Sequence, residues 1–191
     1  PMDHRQDDLA DLGRRFGDRL SIRVSVDHYT PTGHEAVRGP GTWSPMLKGL
    51  AWLAENGISL AVAGRTCWGE SEDQTRQGYG DLFAQHAIPV DAGDPQALVL
   101  FPEMDSEADV PEITVHCWDI LGVPPEMIMC ATSRMVVKRK GAGGPVVVPC
   151  TLLPYEPEFE LGSDLAAAAA PVRLNHPHCA RFCVLGGASC S

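Results

Sequence analysis

The chain holds no apolar run of the roughly 18–20 residues that a membrane-crossing helix needs. Its stretch from Leu165 to Val172 is short and mostly alanine, and no membrane partner is expected. Lysine and arginine are missing altogether from Gln77 to Ser133, where ten acidic residues stand, Glu103, Asp105, Glu107, Asp109 and Glu112 among them. That stretch reads as a solvated acidic face. With 15 basic residues against 25 acidic ones, the formal net charge is −10. Binding nucleic-acid phosphate demands a basic face, so no nucleic-acid partner is expected. No cysteine precedes Cys67. The total of seven cysteines is odd, and the opening Pro1-Met2-Asp3-His4-Arg5-Gln6-Asp7-Asp8 has no apolar signal stretch. Both observations disfavour disulfides and favour a cytoplasmic location.

What is present is a concentration of thiols. Five of the seven cysteines are Cys130, Cys150, Cys179, Cys183 and Cys190, the tightest group reading His176-Pro177-His178-Cys179-Ala180-Arg181-Phe182-Cys183. Deprotonated sulfur is soft and charged and binds iron and zinc well. A C-x3-C pair can clasp one edge of an inorganic core from a single turn, and two distant thiols can bring in the other. The small residues Ala180, Gly186, Gly187 and Ala188 let backbone approach such a core. A [4Fe–4S] cluster on four of these five cysteines is the first reading. Structural zinc is the rival, although zinc knuckles more often use C-x2-C or C-x4-C spacing. Cysteines buried as small hydrophobes remain the plain alternative. Cys67 and Cys117 read as core or element-end residues, and His34, His116, His176 and His178 as structural, His178 being the best placed as a ligand.

With 191 residues and 44 % hydrophobic content, the chain can bury a real core. Leu9, Leu12 and Phe16 recur at helical spacing over 7–19. Leu20 to Asp27 alternates apolar and polar residues as a strand does. The segment with Pro31, Gly33, Gly39, Pro40 and Gly41 reads as a loop. A helix follows from Thr42 or Ser44 to Asn56, then a strand over Ile58–Gly64. Residues 71–86 form a helix opened by the capping-box pattern Ser71-Glu72-Asp73-Gln74. Leu98–Phe101 is a strand, and a helix is expected over 111–120. Strands separated by crossover helices imply an α/β fold with about three βα units and parallel strands. Such sheets place ligands at the C-terminal ends of their strands, where Asp27, Arg38, Arg65 and Cys67 stand. From Met127 the pattern changes. Ser133–Lys140, the glycines 141–144 and Pro145–Cys150 read as a β-hairpin, with Cys130 and Cys150 near one end of it. The expected domains are therefore 1–126 and 127–191. The basic group Arg134, Lys138, Arg139 and Lys140 marks an exposed strand or turn, or meets an anionic ligand.

Two parts of the chain resemble radical S-adenosylmethionine (SAM) enzymes. One is Val24-Ser25-Val26-Asp27 with His34-Glu35-Ala36-Val37-Arg38-Gly39-Pro40-Gly41-Thr42-Trp43 and the helix ending Leu53-Ala54-Glu55-Asn56-Gly57-Ile58. The other is the cysteine, hairpin, cysteine and close cysteine group after 127, which is similar to the SPASM and twitch subdomains of that family. The resemblance covers roughly 20–65 and 127–190. It implies a partial (β/α) radical SAM-type barrel followed by a cysteine-rich hairpin extension with an auxiliary [4Fe–4S] cluster. It further implies that Ser25 and Asp27 lie near the SAM ribose and that Arg38, with Arg65, meets the SAM carboxylate. The alternative for these residues is that Ser25 and Asp27 cap the following loop and Arg38 pairs with a nearby acid.

The C-x3-C-x2-C motif on which the family's radical chemistry rests is absent; after Cys183 the x2 position holds Gly186. The implied reading is the C-terminal part of a radical SAM oxidoreductase, inactive alone, whose cluster relays electrons or binds substrate. Its partners would be a small-molecule or peptide substrate and a reductase or other electron donor. The alternative is a zinc-stabilised, non-enzymatic binding module. A half barrel would also expose a sheet edge and favour association.

Overall fold

A computed structural model describes residues 2–122 and 124–186. The chain divides into two compact units, Pro1–Glu103 and Met104–Ser191.

The first unit runs α1 (Gln6–Phe16), β1 (Ser21–Ser25), α2 (Pro31–Arg38), α3 (Trp43–Glu55), β2 (Ser59–Arg65), α4 (Glu72–Gln85) and β3 (Leu98–Phe101). Its sheet has the order β1-β2-β3. Both pairings are parallel, with Val24 opposite Val62 and Val62 opposite Leu98. Helices between successive parallel strands are the crossovers that parallel pairing requires, so the expected α/β pattern of three strands is met. The core gathers Val26 from the β1 end, Leu50 and Leu53 from α3, Leu60 and Val62 from β2, Tyr79, Leu82 and Phe83 from α4, and Leu98 and Leu100 from β3. The alternation in β1 is visible as partial burial of Leu20, Ile22 and Val24 against this core. The α4 start carries the full capping box, in which Ser71 Oγ accepts from Gln74 N and Gln74 Oε1 accepts from Ser71 N.

One segment departs from expectation. The span read as a loop contains helix α2. Its breakers sit where a helix tolerates them: Pro31 lies in the first turn, where no intrahelical donor is needed, and the Thr30 side chain caps it by accepting from Gly33 N. Gly33 is small for a packing reason, since a Cβ there would lie 2.4 Å from His28 Cγ.

The second unit holds α5 (His116–Leu121), α6 (Met129–Thr132), β4 (Met135–Val137), β5 (Val146–Val148) and several single turns. The strands pair antiparallel, Met135 opposite Val148. The other edge of β5 is bonded to a later segment, Val147 N to Gly162 O and Leu161 N to Val147 O. A π-helical turn spans Cys179–Val184, with Leu185 N bonded to Ala180 O.

The division between units falls directly after β3, earlier than the expected 126/127 boundary. The helix expected over 111–120 forms only from His116, and none of its residues is buried. The proline- and acid-rich segment after Phe101 thus belongs with the cysteine-bearing unit.

Candidate functional site

Two places in the molecule carry chemistry, one in each unit. In the first unit, Asp27 stands just past the C-terminal end of β1 and is 4 % exposed. Its Oδ2 accepts from Arg38 Nε, at the end of α2, and its Oδ1 lies 3.2 Å from Arg65 Nε, the last residue of β2. The two guanidinium groups are about half exposed. In both pairs the nitrogen nearest to Asp27 is the arginine Nε. Asp27, Arg38 and Arg65 are therefore brought together, in the pairing that the plain reading of Arg38 anticipates. Ser25, opposite Ala63 in the sheet, is exposed and outside this arrangement.

Beside it lies a network that sequence reasoning missed. His28, 7 % exposed, stacks on Tyr29 and meets the edge of Trp68. The Tyr29 hydroxyl donates to Glu70 Oε1 at 2.7 Å, and His28 Nε2 lies 3.7 Å from the same oxygen. Because Thr30 N donates to His28 Nδ1, the neutral ring carries its proton on Nε2, toward Glu70. Trp68 Nε1 donates to the Asp27 carbonyl. Burial lowers the His28 pKa below the ordinary 6.5, against the opposing pull of Glu70. Its hydrogen bond to Glu70 and burial raise the pKa of Tyr29. The available signal was position: His28, Tyr29, Trp68 and Glu70 all follow strand ends of a parallel sheet, where ligand sites form. Their pairing across 41 residues was not readable.

His34, 2 % exposed, sits edge-on to Trp43. Burial lowers its pKa, with Asp27 opposing and Arg38 reinforcing that shift. Cys67, two residues past β2, is exposed and Cys117 part-buried, so neither is a core residue.

In the second unit, Cys130, Cys150, Cys179 and Cys183 line one small cavity, whose remaining walls are Met129, Pro149, Leu152, Leu153, Val172 and Leu174. Three stretches of chain supply the thiols: α6, the residue two beyond β5, and the π-helical turn. Antiparallel pairing of β4 and β5 returns the chain so that Cys130 and Cys150 arrive at the same end of the hairpin. The turn supplies Cys179 and Cys183 together; π-type turns occur frequently at functional sites. Cys150, Cys179 and Cys183 are buried and Cys130 is part-buried. Cys190 lies outside the described residues. The cavity is about 10 Å³, room for one water-sized group. Among the described residues, no group of three or more His, Cys, Asp or Glu forms a metal-holding set; sharing a cavity is the looser relationship that holds here.

No protein-family model matches the chain, and no curated protein matches it. Among the described residues, no helix is long and apolar enough to cross a membrane.

Beside Cys179, both ring nitrogens of His178 are buried without a hydrogen-bond partner. Burial lowers its pKa, and neighbouring His176 adds to the shift. Two buried ring nitrogens without a partner are uncommon in a plain core.

Proposed function

We propose that the chain is the C-terminal part of a radical SAM iron–sulfur oxidoreductase, with an auxiliary [4Fe–4S] cluster held by four of Cys130, Cys150, Cys179, Cys183 and Cys190. The observation that carries this reading is the shared cavity of four cysteines drawn from three separate stretches of chain. The donor set suits the group: such a cluster takes one thiolate per iron, and the walls are otherwise apolar. When bound, a cluster ligated by four cysteines supplies one-electron transfer. The chain's own part is to exclude water with Met129, Leu152, Leu153, Val172 and Leu174 and to hold the thiols at one place.

At the strand ends, the half-exposed side chains of Arg38 and Arg65 suit a carboxylate, which an arginine fork grips with two parallel hydrogen bonds. Asp27 orients both forks from beneath. This is the part the SAM carboxylate would meet in a longer parent protein. Reductive cleavage of SAM is not assigned to this chain, which has no C-x3-C-x2-C motif.

Anaerobic reconstitution with iron and sulfide tests the reading. The expected result is about four irons per chain and a broad absorbance near ~400 nm, as for a cluster on four thiolates. A colourless protein after reconstitution overturns it.

One observation favours a second reading. A space of about 10 Å³ suits a single ion better than a cluster core, which would have to part the thiols. A zinc-stabilised, non-enzymatic binding module would show about one zinc per chain, and chelation would unfold the second unit.

A further inference from the structure

Cys130 is the most exposed of the four cavity thiols and sits on the weakest support. Helix α6 has only four residues, too few to hold itself in place by its own hydrogen bonds. Its terminal carbonyls need partners, and one side chain serves Cys130 O among them. Arg134 Nη1 donates to Cys130 O at 2.7 Å and to Ser133 O at 2.8 Å. The same guanidinium reaches a remote segment, Nε donating to Ala168 O at 2.7 Å and Nη2 to Ala170 O at 2.9 Å. Four backbone carbonyls from two stretches of chain therefore converge on one part-buried cation.

The segment held from the other side matters to the same place. Ala170 leads into Val172 and Leu174, and both of these line the thiol cavity. They also line the adjoining larger cavity of about 520 Å³, together with Cys130 and Arg134 themselves. Arg134 thus ties the Cys130 wall to the Val172–Leu174 wall across the space between them. Lysine cannot replace it in full, because a point ammonium lacks the planar fork that serves carbonyls on several sides at once.

We propose that Arg134 is the positioning residue of the thiol site, fixing Cys130 so that its sulfur meets a thiophilic metal alongside Cys150, Cys179 and Cys183. This inference rests on the reading of those cysteines as metal ligands, and it holds equally for an iron–sulfur cluster and for zinc. Among the basic residues that follow Ser133, it separates Arg134 from the exposed Lys138 and Lys140, which carry no such bonds in the described structure.

The test is anaerobic titration of the metal-free full chain with Co2+, read by sulfur-to-cobalt charge-transfer absorption. Arg134→Gln should weaken binding roughly tenfold or more, the scale of one lost charge-assisted hydrogen bond. Arg134→Lys should restore part of that loss, and Lys138→Gln should bind as the unaltered chain does. The decisive comparison is on a Cys130→Ser background. If Arg134 acts through Cys130, adding Arg134→Gln there costs nothing further, whereas a general structural role would add its full effect. Equal Co2+ affinity of Arg134→Gln and the unaltered chain overturns the proposal while leaving the metal-site reading intact. An additive loss on the Cys130→Ser background also overturns it. No charge-transfer band in the unaltered chain overturns the metal-site reading itself, and the positioning role with it.

Discussion

Asp27 Oδ1 lies 3.2 Å from Arg65 Nε, joining the end of β1 to the end of β2 through a carboxylate that is almost wholly buried. The same carboxylate holds Arg38 on its other oxygen. Replacing Asp27 by Ala should lower the stability of the chain by about 1–3 kcal/mol, the scale of hydrogen bonds made to a charged group. The upper end for buried ion pairs does not apply, because both arginines can turn to water. The urea midpoint measures this, and an unchanged midpoint would show that the pairing holds nothing together. Arg38→Ala and Arg65→Ala should each cost less, since each leaves Asp27 one cation.

Two glycines in α4 separate helix propensity from packing. A Cβ on Gly78 would lie 2.5 Å from the Tyr29 ring, whereas one on Gly80 meets only Ala92 Cβ at 3.8 Å. Gly80→Ala should therefore stabilise by about 0.5–1 kcal/mol, the intrinsic gain in a helix interior. Gly78→Ala should destabilise by about 1–3 kcal/mol because it overpacks the Tyr29 ring against a fixed helix. Thermal melts of the two variants should move in opposite directions; parallel shifts would contradict the packing described.

Burial holds the pKa values of His28, His34 and His178 below the ordinary 6.5. Between the folded and unfolded values, the unfolded chain binds more protons, so stability rises with pH across that window. Acidification from about pH 7 toward about pH 5 should lower the melting temperature for this reason. Tryptophan fluorescence, to which Trp43, Trp52 and Trp68 contribute, follows the transition. His34→Leu should flatten part of the dependence, because it removes one of the three groups and its buried, unpartnered Nδ1. A melting profile equally steep in that variant would assign the effect elsewhere.

Serine substitutions sort the thiols. Cys130→Ser, Cys150→Ser, Cys179→Ser and Cys183→Ser should each reduce bound metal after reconstitution, since oxygen is a poorer ligand than sulfur for these ions. Cys67→Ser and Cys117→Ser should leave the metal content unchanged. Elemental analysis of the six variants checks the assignment, and an undiminished content in all four cavity variants would return these cysteines to the role of buried hydrophobes.

The two α/β crossovers were legible because periodicity is local. Leu20 to Asp27 alternates in steps of two, and Ser71 to Gln74 spells a cap within a single turn. Helix α2 was hidden because Pro31 and Gly33 read as breakers until the Thr30 cap and the His28 ring show why they are there. The helix expected from Pro111 was too long because a turn signal does not say whether a face will find something to pack on, and the residues of α5 bury nothing.

Residue types, spacing and charge thus determined the candidate chemistry: thiols in a hairpin setting, arginines and an aspartate near strand ends, and an acidic chain of formal net charge −10. Only the tertiary structure decided which groups meet. Parallel pairing put Asp27 beside Arg65, 38 positions apart in sequence, and brought Glu70 to Tyr29. Antiparallel pairing of β4 with β5, and the turn at Cys179–Val184, carried thiols from three stretches to one cavity. The reason is physical. Local patterns follow from backbone geometry over a few residues, whereas a long-range contact depends on the register and burial of every element between its partners.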